Sequence, residues 1–287
     1  MIYIKKEKER DFVKITDRKE LEEIAKKIRI DIIEQVYSGK SGHPGGALSI
    51  ADILTVLYFN QMNINPDNPK SSGRDRLVLS KGHASAALYA TLAERGYFPK
   101  KELKTFRKLE GKLQGHPDMN KVSGVDMTSG SLGQGLSVAN GMALSSKLNR
   151  DGFRVYCILG DGELEEGQVW EAAMTSSKYK LDNLCVIVDN NGLQIDGSVK
   201  EVKGLKHIGA KFESFGFYVI KIDGHNIEDL LSAFEEAKRI KEKPTAIIAN
   251  TIKGKGVSFM EDKVEWHGKA PSEEEYQLAM HELEGRE

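Results

Sequence analysis

The chain has 287 residues, of which 39% are hydrophobic, enough to fill one large domain or two ordinary ones. Its 42 Lys and Arg residues balance 43 Asp and Glu residues, so there is no basic excess of the kind that draws a protein to nucleic acid or anionic lipid. Any anionic ligand must therefore be met by a local site.

The two cysteines and the amino-terminal residues indicate the cellular compartment in which the protein resides. Cys157 and Cys185 lie in apolar runs typical of buried strands, whereas a secreted chain would more often carry several cysteines at regular spacings. The first four residues run directly into charged ones, unlike a signal peptide, and no apolar run approaches the length of a membrane span. We therefore expect a cytoplasmic protein with reduced thiols and no membrane partner.

A helix is the first predicted element, after a lead-in over residues 1–16. Asp17 followed by Glu20 is typical of an N-cap with a capping box, and apolar residues recur at helical spacing until Gly39. Short and mostly non-alternating apolar runs predict five strands, at 76–80, 155–159, 184–188, 218–222 and 246–249. Helical patterns intervene, the clearest being capped by Asn226, and residues 272–287 predict a short amphipathic helix.

This alternation predicts an α/β fold, a parallel sheet with helices on both faces. No repeat, low-complexity tract or linker divides the chain, so residues 17–287 are predicted to form a single domain. In such sheets ligands bind beyond the carboxyl ends of the strands. The glycines, histidines and acids of this sequence concentrate at those positions.

Two adjacent strand ends carry groups suited to a metal and a diphosphate. Gly160-Asp161-Gly162 follows one predicted strand, and Asn191 follows the next. A carboxylate and an amide oxygen suit a hard divalent cation such as Mg²⁺, Ca²⁺ or Mn²⁺, and the glycines let the backbone approach phosphates closely. Either motif alone could be only a turn after a strand. Together, at this spacing, they favour a metal-bound diphosphate.

Histidines in glycine-framed loops form the second pattern. Five of the seven histidines adjoin a glycine, namely His43, His83, His116, His225 and His267. For any one of them, a surface or capping role is the simpler interpretation. As a set they indicate a site built from imidazoles, which can donate to or accept from sugar hydroxyls and move protons near neutral pH.

These motifs resemble the transketolase family of thiamine diphosphate enzymes. Gly-Asp-Gly followed by Asn-Asn is similar to the signature of thiamine diphosphate enzymes, and the glycine–histidine loops are similar to the transketolase series in order and spacing. The resembling loops are residues 41–46, 80–84, 115–118, 130–135 and 266–271. The similarity extends from about residue 17 to residue 280 and implies a thiamine diphosphate-binding fold.

The resemblance also implies roles for individual residues. His83 and His267 would contact the cofactor diphosphate, while Ser131, standing where a proline is commoner, and Leu132 would touch the thiamine. The implied cofactor-binding set is His83, Ser131, Leu132, Gly160, Asp161, Gly162, Glu166, Asn191 and His267. The implied catalytic set, facing the sugar hydroxyls near the reacting carbonyl, is His43, His116 and His267.

Three metal ligands and two interface acids complete the implied roles. The metal would be held by Asp161, Asn191 and the backbone carbonyl of Leu193. Glu166 and Glu171 match acids that in the family lie at the subunit interface and couple the paired active sites. From the residues alone, both glutamates would be interpreted as a solvated helix face.

The implied activity moves a two-carbon ketol unit from a ketose phosphate such as xylulose 5-phosphate to an aldose phosphate such as ribose 5-phosphate. In the family, the glutamate that faces the cofactor's aminopyrimidine ring and the arginines that bind substrate phosphate belong to a second α/β domain, which this sequence does not contain. The resemblance therefore implies the amino-terminal subunit of a split transketolase. It would be inactive alone and paired with a separate carboxy-terminal subunit, two copies of each (α2β2).

Other interpretations stay open. The chain could be the cofactor-binding half of a deoxyxylulose phosphate synthase or of a 2-oxo acid dehydrogenase component, although neither would need several imidazoles for sugar hydroxyls. It could belong to a transketolase for a different sugar phosphate, or be a piece of a longer enzyme. A non-catalytic homologue is disfavoured because Asp161, Asn191 and the histidines are all present.

Overall fold

A long helix opens the part of the chain that this computed structural model describes, residues 14–285. The helix α1 (Arg18–Gly39) begins where predicted, because the Asp17 carboxylate accepts a hydrogen bond from the Glu20 N–H at 2.8 Å. It ends where Lys40 adopts a left-handed conformation. Apart from residues 14–16, the predicted lead-in lies outside the described residues.

All five predicted strands are present and form one parallel sheet. In chain order the strands are β1 (Arg76–Leu79), β2 (Val155–Gly160), β3 (Leu184–Asn190), β4 (Leu193–Gln194), β5 (Gly197–Ser198), β6 (Tyr218–Asp223) and β7 (Thr245–Asn250). The sheet order is β1-β2-β3-β7-β6, with every neighbouring pair parallel. The short β4 and β5 form a separate antiparallel pair that the sequence pattern did not predict.

Helices cover both faces of this sheet, as the alternation predicted. They are α2 (Pro44–Leu48), α3 (Ala51–Val56), α4 (Ser85–Arg95), α5 (Gly135–Asn149), α6 (Gly167–Lys178), α7 (Val199–Val202), α8 (Ile208–Ser214), α9 (Ile227–Arg239) and α10 (Glu273–Glu284). One core contains α1, α3, α4 and α9, and the other contains α5, α6 and α8. Alternate residues of β2 enter the two cores: Tyr156 and Ile158 the first, Cys157 and Leu159 the second.

Local capping explains where the later helices begin. The Asn226 side chain accepts from the Glu228 N–H and starts α9, and Ser272 with Glu275 forms a capping box at α10. The helix predicted over residues 272–287 thus spans Glu273–Glu284. Both cysteines are free and buried, as expected of packed thiols. Within residues 14–285, none of the helices combines the length and apolar character that crossing a bilayer requires.

The topology brings four strand ends to one edge of the sheet. After β3 the chain passes to the outer strand β6 and returns through β7, so β7 lies beside β3. The segments that follow β1, β2, β3 and β7 therefore open at the same edge. Ligands of doubly wound sheets bind at this position.

Candidate functional site

A cavity of about 250 Å³ lies at this edge of the sheet. It brings together most of the residues singled out in the sequence. Those that line it are His43, His83, His116, Leu132, Gly160, Asp161, Gly162, Asn191, Leu193 and His267. Residues far apart in the chain thus converge on one space, as the strand-end argument predicted.

The rings of His43, His83 and His267 pack against one another and form one wall of the cavity, which we call the histidine wall. The His43 ring centroid lies 5.2 Å from that of His83 and 5.5 Å from that of His267, and the His83 and His267 centroids are 5.2 Å apart. Burial and nearby cations lower the pKa of His43 to about 4 and that of His267 to about 3, and burial holds the pKa of His83 well below its ordinary value. The cluster is therefore uncharged near neutral pH.

His116 also lines the cavity. Its ring covers Gly130, where a Cβ atom would lie 3.4 Å from the ring, and the Tyr89 hydroxyl donates to its backbone carbonyl at 3.3 Å. Burial, followed by the Arg107 charge, lowers the pKa of His116. All four predicted site imidazoles therefore present neutral rings to the cavity.

The Asp161 carboxylate is fixed at the end of β2 by backbone donors. It accepts from the Gly162 N–H at 2.8 Å and from the Gly192 N–H at 2.5 Å. Burial, together with the nearby charge of Asp189, raises the pKa of Asp161 to about 6. A cation bound beside this carboxylate would relieve both effects.

The other two predicted metal ligands lie across the same cavity. The Asn191 side chain donates to Asp189 at 2.9 Å, and its amide oxygen accepts from the Leu193 N–H at 3.1 Å. The Leu193 carbonyl accepts from the Lys253 ammonium at 3.1 Å. In the part of the chain that the structure describes, no three His, Cys, Asp or Glu side chains are grouped to hold a metal. A metal here would rely on mixed oxygen donors, and the ligand set of Asp161, Asn191 and Leu193 stays a prediction.

A buried ion pair forms the floor of the site and was not predicted from the sequence. The Lys81 ammonium donates to the Asp189 carboxylate at 2.5 Å and to the Gly46 carbonyl at 2.7 Å. Asp189 also accepts from the hydroxyls of Ser49 and Thr251. Burial alone would raise the pKa of Asp189, but Lys81 and these hydrogen bonds hold it below its ordinary value. Both residues lie close to the site motifs in the sequence, yet nothing local shows that they pair.

Lys253 is a second buried cation that sequence reasoning missed. Only 2% of it is exposed, and its ammonium donates to the Leu193 carbonyl and to His267 Nδ1, the latter at 2.8 Å. Among residues 14–285 no carboxylate pairs with it. Burial, followed by the Lys81 charge, lowers the pKa of Lys253 to about 8. This cation faces the cavity, and no motif in the sequence marked it.

Glu163 holds two glycine loops together. One carboxylate oxygen accepts from the Gly133 N–H at 2.9 Å and from the Ser80 hydroxyl, and the other accepts from the Gly160 N–H at 3.0 Å. This buried acid ties the loop of residues 130–135 to the Gly-Asp-Gly turn. It directly follows the Gly-Asp-Gly motif, but no role was predicted for it.

Three predicted residues do not line the cavity: Ser131, Glu166 and Glu171, all of which are exposed. Leu132 lines the cavity but is 38% exposed. Glu166 packs against Gly133, where a Cβ atom would lie 2.7 Å from its own Cβ. The roles given to Ser131, Glu166 and Glu171 stay predictions. His225 binds Asp52 and the backbone of Ile252 rather than the cavity.

The residues present fit a metal-bound diphosphate. A Cβ atom at Gly46 would lie 3.5 Å from both the Lys81 ammonium and His83 Nε2, so the glycine keeps the space beside two nitrogen donors open. Asp161, Asn191 and the Leu193 carbonyl supply the oxygen ligands that hard divalent cations prefer. Lys253 places a positive charge beside them.

Comparison with known proteins gives a consistent answer. The family model described as "Transketolase, thiamine diphosphate binding domain" matches residues 20–285. The 6-deoxy-6-sulfo-D-fructose transketolase subunit SqwG of Clostridium sp. (strain MSTE9) is 47% identical, over 92% of this chain and 96% of its own length. An apulose-4-phosphate transketolase subunit from Phocaeicola vulgatus is 41% identical, over 93% of this chain and 94% of its own length.

A solved structure shows the same fold. The crystal structure of transketolase from Campylobacter jejuni superposes with a TM-score of 0.88 at 37% identity, over 93% of this chain and 43% of that chain. The chain thus spans nearly the full length of the two subunits named above but less than half of this longer protein.

Proposed function

The chain belongs to the transketolase family as its thiamine diphosphate-binding part, and from this premise we propose that it is the amino-terminal subunit of a two-chain transketolase. It transfers a two-carbon ketol unit from a ketose phosphate to an aldose phosphate, and only when a carboxy-terminal subunit is present. The observation that carries this proposal is that the cluster of neutral histidines and the Asp161 carboxylate line the same cavity.

The residues around Asp161 would bind the diphosphate end of the cofactor. Asp161, Asn191 and the Leu193 carbonyl hold a divalent cation, with Mg²⁺ expected and Ca²⁺ or Mn²⁺ able to replace it. The buried Lys253 and the imidazole of His83 neutralise and orient the phosphate oxygens. Thiamine diphosphate, when bound, supplies the carbon nucleophile and the electron sink for the reaction.

Three histidines of the cavity bind the sugar. His43, His116 and His267 are neutral at physiological pH because burial disfavours their charged forms. Neutral imidazoles can form hydrogen bonds with sugar oxygens, which orients the ketose. A site for pyruvate alone would need fewer such groups.

A second subunit completes the site. The family's pyrimidine-facing glutamate and phosphate-binding arginines are expected on a separate carboxy-terminal chain. Two relatives that match nearly end to end are themselves named as subunits, which supports a separate partner. An assembly with two copies of each chain is proposed by analogy with the paired sites of the family.

The sugar pair is proposed as xylulose 5-phosphate and ribose 5-phosphate. A second candidate is the same ketol transfer from a different ketose, because relatives at 47% and 41% identity are named for 6-deoxy-6-sulfofructose and apulose 4-phosphate. Both candidates use the same histidines and differ in the ketose that donates the two-carbon unit.

A substrate panel tests the proposal. The chain, a carboxy-terminal partner, thiamine diphosphate and Mg²⁺ are mixed with each ketose in turn, with ribose 5-phosphate as acceptor and pyruvate as a separate substrate. We expect a new ketose product from one of the sugars and no carbon dioxide from pyruvate. Release of carbon dioxide without ketol transfer would contradict the proposal and favour a decarboxylating enzyme.

A further inference from the structure

Arg107 makes a directed contact with one ring of the histidine wall. It follows the 3-10 turn Lys100–Thr105, and its own N–H donates to the Leu113 carbonyl at 2.8 Å. Its guanidinium lies 3.2 Å from His43 Nδ1 and donates to the Ser41 hydroxyl at 3.0 Å. Arg107 therefore joins the loop that carries His43 to the loop that leads to His116.

A glycine next to the Arg107 guanidinium leaves room for it. A Cβ atom at Gly115 would lie 2.6 Å from Arg107 Cζ, so a side chain at residue 115 would displace the guanidinium. Arg107 itself has φ 54°, in the left-handed region that non-glycine residues seldom adopt. The backbone thus accepts a strained conformation at a residue whose side chain reaches the site.

The direction of the hydrogen bond between Arg107 and His43 determines which ring nitrogen of His43 carries the proton. A guanidinium carries only donors and stays charged, so His43 Nδ1 must accept the hydrogen bond. The single ring proton of the neutral imidazole must then be on Nε2. Over residues 14–285, no protein group is hydrogen-bonded to His43 Nε2, and His43 lines the cavity. Its Nε2–H is left for a ligand.

We propose that Arg107 is a positioning residue that fixes His43 in its Nε2–H tautomer, so that His43 meets the sugar as a hydrogen-bond donor and not as a base. His267 shows the same arrangement, since the Lys253 ammonium lies 2.8 Å from its Nδ1. Two neutral N–H donors then face one cavity, which suits a sugar oxygen that gains negative charge during the reaction. The part about the sugar rests on the proposed function; the tautomer does not.

Nitrogen-15 NMR of the isolated full-length chain tests the tautomer directly. We expect His43 Nε2 to have the chemical shift of a protonated ring nitrogen and Nδ1 that of an unprotonated one, with the signals assigned by their loss in His43→Gln. Arg107→Met should populate the Nδ1–H tautomer and raise the His43 pKa, while Arg107→Lys should retain the parent tautomer. Arg239→Met, at an exposed arginine of α9, is the matched control. A parent spectrum with Nδ1 protonated, or an unchanged tautomer in Arg107→Met, would overturn the proposal.

A double-mutant cycle in the two-chain enzyme tests the consequence. Arg107→Met should lower kcat by roughly 10-fold, a part of the loss seen when a whole transition-state donor is removed. In a His43→Ala background the same substitution should change kcat by less than about 2-fold, because residues that act as a unit are not additive. Equal effects in both backgrounds would show that Arg107 does not act through His43. If the NMR result holds but no ketol transfer occurs, the proposed function fails and the tautomer assignment stands.

Discussion

Buried charge decides the behaviour of single residues in this site. Asp161, Asp189, Lys81 and Lys253 all lie within one small region that is largely shielded from water. Lys81 and Asp189 form an ion pair with each other. Asp161 and Lys253 do not: burial is the main cause of the raised pKa of Asp161 and of the lowered pKa of Lys253. A bound cation and a bound diphosphate would stabilise the charged forms of the latter two.

Asp161→Asn is expected to abolish tight metal-dependent cofactor binding. The substitution removes the only charged ligand of the proposed metal set, and loss of one charged partner costs about 3 kcal/mol, or roughly 100-fold in affinity. Calorimetric titration of the chain with thiamine diphosphate in the presence of Mg²⁺ measures this. Asp262→Asn, at an exposed position, should bind like the parent. Equal affinities in both variants would remove Asp161 from the metal site.

Lys253→Met is expected to change stability and binding in opposite directions. Without ligand, the variant no longer buries a charge that lacks a carboxylate partner among residues 14–285, so its free energy of unfolding should rise by about 1 kcal/mol. Its affinity for thiamine diphosphate should fall by roughly 10-fold or more because a cation beside the phosphates is lost. Thermal unfolding with and without the cofactor measures both, and Lys263→Met, at an exposed lysine, is the control. A less stable variant with unchanged cofactor affinity would contradict the role given to Lys253.

The histidine wall predicts an acid dependence of stability. The pKa values of His43 and His267 are depressed to about 4 and about 3 in the folded chain, so the unfolded chain binds more protons below pH 6.5. Their contribution to stability is present above pH 6.5 and is lost as the pH falls toward 4. Urea unfolding of the parent and of His43→Gln/His267→Gln at pH 7 and pH 5 measures this. The parent should lose more stability than the double variant; parallel losses would show that the rings are not held neutral.

A second buried ion pair, outside the cavity, joins secondary-structure elements. Arg29 of α1 donates to both oxygens of Asp52 on α3, and one of those oxygens also lies 2.7 Å from His225 Nδ1. The Ile252 N–H donates to His225 Nε2 at 2.8 Å, and Arg29 Nε donates to the Lys255 carbonyl at 3.2 Å. Residues 252 and 255, on either side of Lys253, are therefore bound by His225 and Arg29, the two partners of the Asp52 carboxylate.

Asp52→Asn is expected to destabilise the fold and loosen residues 252–255. Leaving Arg29 buried without a counter-ion costs about 3 kcal/mol. Chemical denaturation measures the loss, and hydrogen exchange at residues 252–255 should become faster. Glu22→Gln removes an exposed partner of Arg18 and should cost less than about 0.5 kcal/mol. If Asp52→Asn were as stable as Glu22→Gln, Asp52 would not be the centre of this contact.

The sequence predicted elements better than it predicted contacts between them. The strands of the sheet were visible because each is a short apolar run, whereas β4 and β5, of two residues each, are too short for any pattern. Motif residues such as His43 and Asp161 were found because glycines mark their loops. Lys253, Glu163 and the pairing of Lys81 with Asp189 were missed, because their function depends on which strand ends the fold brings together.

At the scale of the whole molecule, one side of the cavity is exposed and partly apolar. Leu132 and Ile195 are exposed hydrophobic residues on the cavity wall, and Glu166 and Glu171 are exposed on the neighbouring α6 segment. The solved transketolase from Campylobacter jejuni is more than twice the length that this chain matches. We therefore propose that this chain supplies half of an active site, namely the residues for the diphosphate and the metal and the sugar-facing histidines.

The initial rate of ketol transfer, measured while the carboxy-terminal partner is titrated into a fixed amount of this chain, tests that assignment most directly. With thiamine diphosphate, Mg²⁺, xylulose 5-phosphate and ribose 5-phosphate present, the chain alone should show no substantial turnover. The rate should then rise with added partner and saturate at one partner for each chain. Brisk turnover before any partner is added would contradict the assignment.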